Sequence, residues 1–178
     1  HRNIWKTNPL LGYMHTSFAL GWLLLIVVGH IEAYVQAQSF SVPPWIPIFF
    51  RYFNHEHFYG ARFFAHTMDF LLLYVLSGVL LAYGKRINSR LFGIKRTTKL
   101  KPKDRIALIA LWGIFPLRLF AESATAALHG NGGFLTSGTI FRLFESSEYM
   151  EFTLWTLYSC SLAIFFITLP FTRYMHIP

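Results

Sequence analysis

The sequence predicts an all-α protein, a transmembrane helical bundle with four spans, and two observations support this. Of its 178 residues, 54% are hydrophobic and 13% are charged, which is less charge than the surface of a soluble domain needs. Four apolar stretches are also present, and each is long enough to supply the roughly 20 residues that a bilayer-crossing helix requires. Residues 1–178 are therefore expected to form a single transmembrane domain.

The apolar stretches define the expected spans, and prolines mark or interrupt them. Pro43, Pro44 and Pro47 forbid a continuous helix after the first stretch, because proline lacks the main-chain donor and blocks the preceding turn. Pro116 lies inside the third stretch, where it is expected to kink the helix. The expected spans are Gly12 to Ala37, Phe58 to Tyr83, Arg105 to Leu128 and Tyr149 to Phe171.

The distribution of charge orients these spans. The segment KRINSRLFGIKRTTKLKPKDR, between the second and third spans, holds more than half of the sixteen Lys and Arg residues and one acidic residue, Asp104. Arg2 and Lys6 precede the first span, and Arg173 follows the last. Because loops rich in Lys and Arg stay in the cytoplasm, we expect this basic loop and both ends on the cytoplasmic side of a bacterial or archaeal inner membrane. Five acidic residues fall on the opposite side: Glu32, Glu56, Glu145, Glu148 and Glu151.

Composition also limits the partners. The net charge of +8 is compatible with binding to nucleic acid. However, the basic residues are concentrated in one loop, which indicates a membrane protein whose partner is lipid and not nucleic acid. The same loop could also bind acidic lipid. The one cysteine, Cys160, excludes an internal disulfide and a Cys-rich iron–sulfur site in this segment. The first residue is His1 rather than Met, so a fragment of a longer chain is expected.

Several of the eight histidines lie in or beside the apolar stretches, among them His15, His30, His66 and His176. An imidazole inside a bilayer is costly and needs a partner, and it is also a common iron ligand. His15 and His176 are expected at one level near the cytoplasmic side, where they could hold a haem b between two helices. The alternative is that both contact lipid headgroups or main-chain carbonyls.

His30 suggests a second cofactor level. It follows His15 by fifteen residues, which is about 22 Å along a helix. Its partner in a second haem is expected to be His66, at a similar depth in the second span, with His129 as the other candidate. The alternative is a buried imidazole that bonds to a serine or a carbonyl.

Arg62, His66 and Asp69 share one face of the second span by their spacing. A cation beside a titratable group could bind a quinol headgroup and remove its proton, so these residues form a candidate quinone site. The alternative is a structural Arg–Asp pair.

Three stretches of the chain resemble one family. They are the ending IFFITLPFTRYMHIP, the connection SGVLLAYGKRINSRLFGIKRTT and the two-histidine helix MHTSFALGWLLLIVVGH. Together they resemble the membrane cytochrome b family of nitrate reductase gamma subunits, which includes the membrane subunits of heterodisulfide reductases. The resemblance covers nearly the whole chain and lacks the family's first helix. It is closest to members that are fused to a cytoplasmic iron–sulfur domain.

This resemblance implies a function. His176 would ligate the cytoplasmic haem with His15 from the first span, and His30 matches the outer ligand, while Tyr158 stands where the last helix would carry its mate. The chain would be the electron-transfer subunit of a larger oxidoreductase, passing electrons between the quinone pool and a cytoplasmic iron–sulfur partner. One rival is a non-redox transporter or scaffold subunit whose histidines pack or relay protons. The other rival is a metal carrier that uses His55, His57 and His129.

Overall fold

The fold is known from a computed structural model, which describes residues 5–6, 8–36, 60–91, 101–130, 132–143 and 147–172. This part of the chain is helical and contains no strand, which confirms the predicted all-α bundle. The long helices are α1 (Pro9–Gln36), α2 (Ala61–Leu91), α3 (Pro102–His129) and α4 (Glu148–Thr168). Shorter pieces are a π-helix at Thr136–Ile140 and 3-10 helices at Phe141–Leu143 and Leu169–Phe171.

All four long helices are long and apolar enough to cross a membrane. Even α4, the shortest with 21 residues, is about 31 Å long at 1.5 Å per residue, which matches a hydrocarbon core of about 30 Å. Large apolar side chains such as Leu23, Phe63, Phe152 and Ile167 are exposed on the outside of the bundle. In a bilayer these side chains contact lipid, so the chain is a multi-pass membrane protein.

The helices pack as two antiparallel pairs. In the first pair, Gly21 of α1 lies against Val75 of α2, and Gly29 lies against Met68. In the second pair, the Ser161 hydroxyl of α4 donates to the Ala110 carbonyl of α3 at 2.9 Å. Alternation brings the starts of α1 and α3 together with the ends of α2 and α4; we call this the basic end, and the other the acidic end.

Aromatic rings join the two pairs in the middle of the bundle. Trp22 of α1 has its ring 6.1 Å from that of Phe115 on α3 and 5.5 Å from that of Phe165 on α4. Leu25 and Leu72 are buried in the same core. Such ring contacts favour edge-on and tilted geometry and fix the relative rotation of α1, α3 and α4.

The observed helices differ from the expected spans mainly at the basic end. Helix α2 continues to Leu91, eight residues beyond the expected end at Tyr83. These extra turns are polar, and the Arg86 guanidinium lies 5.0 Å from the ring centre of Trp112 on α3. This cation–π contact anchors a helix end that hydrophobicity alone does not reveal. Pro116, the proline inside the third expected span, lies within α3, which runs as one helix from Pro102 to His129.

Candidate functional site

His15 borders a cavity near the basic end. The cavity has a volume of about 170 Å³ and lies between α1, α2 and α3. Its walls are apolar except for the imidazole, and they include Phe18, Gly78 and Trp112. The His15 side chain is exposed on one side of this space. A histidine and an apolar wall are thus brought together at the level predicted for the cytoplasmic cofactor.

His30 and His66 each make the same kind of hydrogen bond, from the imidazole to a main-chain carbonyl of the preceding turn. The Nδ1 atom of His30 lies 2.7 Å from the Ile26 carbonyl oxygen, and that of His66 lies 2.7 Å from the Arg62 carbonyl oxygen. A carbonyl oxygen only accepts, so Nδ1 carries the proton in both rings. In the neutral form Nε2 then has a free lone pair, and a ligating histidine is oriented in this way by a main-chain carbonyl. The predicted alternative for His30, an imidazole bonded to a carbonyl, is compatible with the same contact.

The two histidines also lie at similar depth. Helices α1 and α2 are antiparallel. A Cβ atom at Gly29, next to His30, would lie 3.6 Å from the side chain of Met68, which is two residues beyond His66. Both rings are exposed. The ring of His66 also lies 6.2 Å from that of Phe134. The register therefore places both at one level of the acidic half, as the sequence predicts.

Asp69 has a structural role that its spacing from Arg62 and His66 does not reveal. Its side chain is buried, whereas Arg62 and His66 are exposed. Its Oδ2 atom accepts hydrogen bonds from the Leu135 amide at 2.7 Å and the Thr136 amide at 3.1 Å. Asp69 thus holds the turn after α3, and the exposed part of the predicted quinone site consists of Arg62 and His66.

Several predicted residues lie outside the described part of the chain. They are His55, His57 and His176. Among the residues that are described, no group of three or more His, Cys, Asp or Glu side chains forms a metal site. His129 lies at the end of α3, where Glu151 engages its Nε2 atom at 3.3 Å.

A buried ion pair lies about halfway along α3. The Arg118 Nε atom donates to Glu122 Oε1 at 2.9 Å, and both side chains are buried. Tyr158 of α4 and the carboxylate of Glu32 on α1 both interact electrostatically with the same guanidinium. Three helices thus meet at one cationic group inside the bundle.

Polar contacts continue from this pair toward the acidic end. The Thr125 hydroxyl donates to Glu151 Oε1 at 2.6 Å and accepts from Trp155 Nε1 at 2.9 Å. The other carboxylate oxygen of Glu151 faces His129. We call the following set the polar seam: Arg118, Glu122, Thr125 and His129 of α3 with Glu151, Trp155 and Tyr158 of α4.

Only part of this seam can be recognised from the sequence. The α3 residues follow the i, i+4, i+7 and i+11 positions of one helix face, and this pattern is visible in the sequence. Glu151 and Tyr158 are separated by seven residues, so they also share a face of α4. That these two faces meet depends on the pairing of α3 with α4, which helical periodicity does not specify.

The chain matches no family model, no curated protein and no solved structure.

Proposed function

We propose that the chain is a membrane b-type cytochrome, which passes electrons between the quinone pool and a cytoplasmic iron–sulfur partner or domain. The observation that supports this best is the hydrogen bonding of the histidines in α1 and α2. The Nδ1 atoms of His30 and His66 donate to main-chain carbonyl oxygens at 2.7 Å, which leaves the Nε2 lone pairs available to a metal. His15 stands beside an apolar cavity at the opposite end. The family resemblance supports the same function.

The residues fit haem b in donor chemistry and in apolarity. His15 with His176 would hold one group, and His30 with His66 would hold a second. The cavity beside His15, about 170 Å³, is below the roughly 300 Å³ at which sites for drug-sized ligands begin, so it would enclose only part of such a group. When bound by two histidines, haem b accepts and returns one electron and has no open position for a substrate.

The chain's own residues do the remaining work. The Ile26 and Arg62 carbonyls fix the tautomers of His30 and His66, and Phe18 and Trp112 give the space beside His15 apolar walls. At the acidic end, exposed Arg62 would bind a quinone headgroup. His66 would accept the quinol proton in a chain with one haem, and it would hold the second haem in a chain with two. The basic loop would attract an acidic iron–sulfur partner.

Histidine variants of the full chain test this proposal. The protein is produced with haem supplementation, and its reduced-minus-oxidised spectrum is recorded. We expect His15→Ala to remove or shift the α band because it deletes an axial nitrogen, whereas His57→Ala leaves the band unchanged. An unchanged spectrum in His15→Ala contradicts the assignment of His15.

A further inference from the structure

The polar seam has no role in electron transfer by the histidines, yet it places charges inside the bundle. Ionisable side chains within a membrane are costly and mark sites of function. Replacing a buried ion pair by apolar side chains is often neutral or stabilising. Nearer the basic end, the same two helices pack through Ala107, Ala110, Leu162 and Phe165, all buried. The α3–α4 contact can therefore form without charged residues.

The seam is graded in exposure. At the acidic end, the side chains of His129 and Glu151 are 19% and 21% exposed. Toward the middle of the bundle, the Arg118 and Glu122 side chains are 9% and 3% exposed, and Tyr158 is buried. The seam thus opens to one side of the membrane and ends inside the bundle.

Its members are groups that accept and pass on protons. Glu151 contacts both the His129 imidazole, at 3.3 Å, and the Thr125 hydroxyl, at 2.6 Å. Thr125 in turn lies three residues after Glu122, which is about 4.5 Å of helix rise. Residues three apart on a helix are neighbours on its surface, so Glu122 and Thr125 lie side by side along the seam.

The geometry points to a proton half-channel: the polar seam carries protons between the acidic end of the bundle, at His129 and Glu151, and the Glu122 carboxylate beside Arg118. Inward, a proton leaves the His129 imidazolium for Glu151. The Glu151 carboxyl then passes a proton to the Thr125 oxygen, while the proton of the Thr125 hydroxyl moves on to Glu122. Each transfer breaks one bond to hydrogen and forms another, and the charge of the inner group rises by one.

The groups around Glu122 are suited to this exchange. Arg118 on α3 and Tyr158 on α4 are its charged or titratable neighbours, and Glu32 of α1 acts on Arg118. When Glu122 takes up a proton, Arg118 therefore still has a carboxylate of α1 near it. Beyond Tyr158 the next buried residues of α4, Leu162 and Phe165, are apolar, which places the inner end of the route at Glu122 and Arg118.

A pH-jump experiment on the full chain in lipid nanodiscs tests this inference without using haem. Infrared difference spectra record the carboxyl stretching band of Glu122, which is identified by its loss in Glu122→Gln. The test variant is Glu151→Gln, which removes a proton carrier in contact with His129 and Thr125. The matched control is Glu148→Gln, since Glu148 is exposed one turn earlier in α4.

We expect the Glu122 band to follow the pH jump at the same rate in the wild type and in Glu148→Gln. In Glu151→Gln the band should follow about a hundredfold more slowly, because a positioned proton-transfer group typically contributes about 10²–10⁴-fold. Thr125→Val, which keeps the side-chain shape, carries the same expectation if Glu151→Gln does not fold. Equal rates in the test and control variants overturn the proposal, and so does a Glu122 band that does not respond to pH.

Discussion

At the scale of single residues, the chain shows how a buried carboxylate can serve the fold. Asp69 accepts two main-chain N–H groups, those of Leu135 and Thr136, and thereby holds the turn after α3 against α2. Gly133 lies in the same turn, and a Cβ atom at this position would overlap the Asp69 carboxylate. The absence of a side chain at residue 133 is therefore a condition for this contact.

Gly133→Ala is expected to destabilise the protein. The new methyl group must displace the Asp69 carboxylate, and overpacking of this kind costs about 1–3 kcal/mol. The control is Gly138→Ala, since a Cβ atom at Gly138 has no neighbour within 4 Å. Thermal unfolding in detergent should give a lower Tm for Gly133→Ala than for Gly138→Ala; equal Tm values would contradict the described contact.

The same residues show why the site was only partly predictable. Arg62, His66 and Asp69 share a helix face in the sequence, and spacing alone cannot tell which of them turns inward. The donors that bind Asp69 lie 66 and 67 residues away. The prediction of a joint quinone site therefore lacked the information that separates Asp69 from its neighbours.

At the scale of helices, small residues bring α1 and α2 together. A Cβ atom at Gly78 of α2 would overlap the Ser17 side chain of α1, and one at Gly21 would overlap Val75. Without a hydrophobic driving force between helices in lipid, close packing at small residues is what holds transmembrane pairs together. The spans themselves were predictable because each apolar stretch alone determines its own helix, whereas the pairing of helices depends on these distant contacts.

Two glycines of α2 give a matched test of this packing. Gly→Ala within a helix ordinarily stabilises by roughly 0.5–1 kcal/mol, and this is expected at Gly84, which has no neighbour within 4 Å. At Gly78 the sign is expected to reverse, because the methyl group meets Ser17. The Tm of Gly78→Ala should fall below that of Gly84→Ala, and the opposite order would show that α1 does not approach α2 there.

At the scale of the whole molecule, the bundle has two chemically different ends. The basic end carries the charged loop and the cavity beside His15, and the acidic end carries the open end of the polar seam at His129 and Glu151. In the proposed function, electrons pass between the two ends, while protons exchange at the acidic end. This separation requires a fixed orientation in the membrane.

Cysteine labelling in intact cells tests that orientation. After Cys160→Ser, a single cysteine is introduced at Lys101, at the basic end, or at Ser147, at the acidic end. Because Lys- and Arg-rich loops stay in the cytoplasm, an impermeant maleimide should label position 147 in intact cells and position 101 only after permeabilisation. The reverse pattern would invert the proposed topology.

The most direct test of the central claim is the haem content of the purified full chain, measured by the pyridine haemochrome spectrum after production with haem supplementation. The proposed function predicts one haem b per chain if His15 and His176 alone form a site, and two if His30 and His66 form another. In the latter case, His66→Ala should return the ratio to one. A colourless protein, with no Soret or α band, would contradict the assignment as a cytochrome.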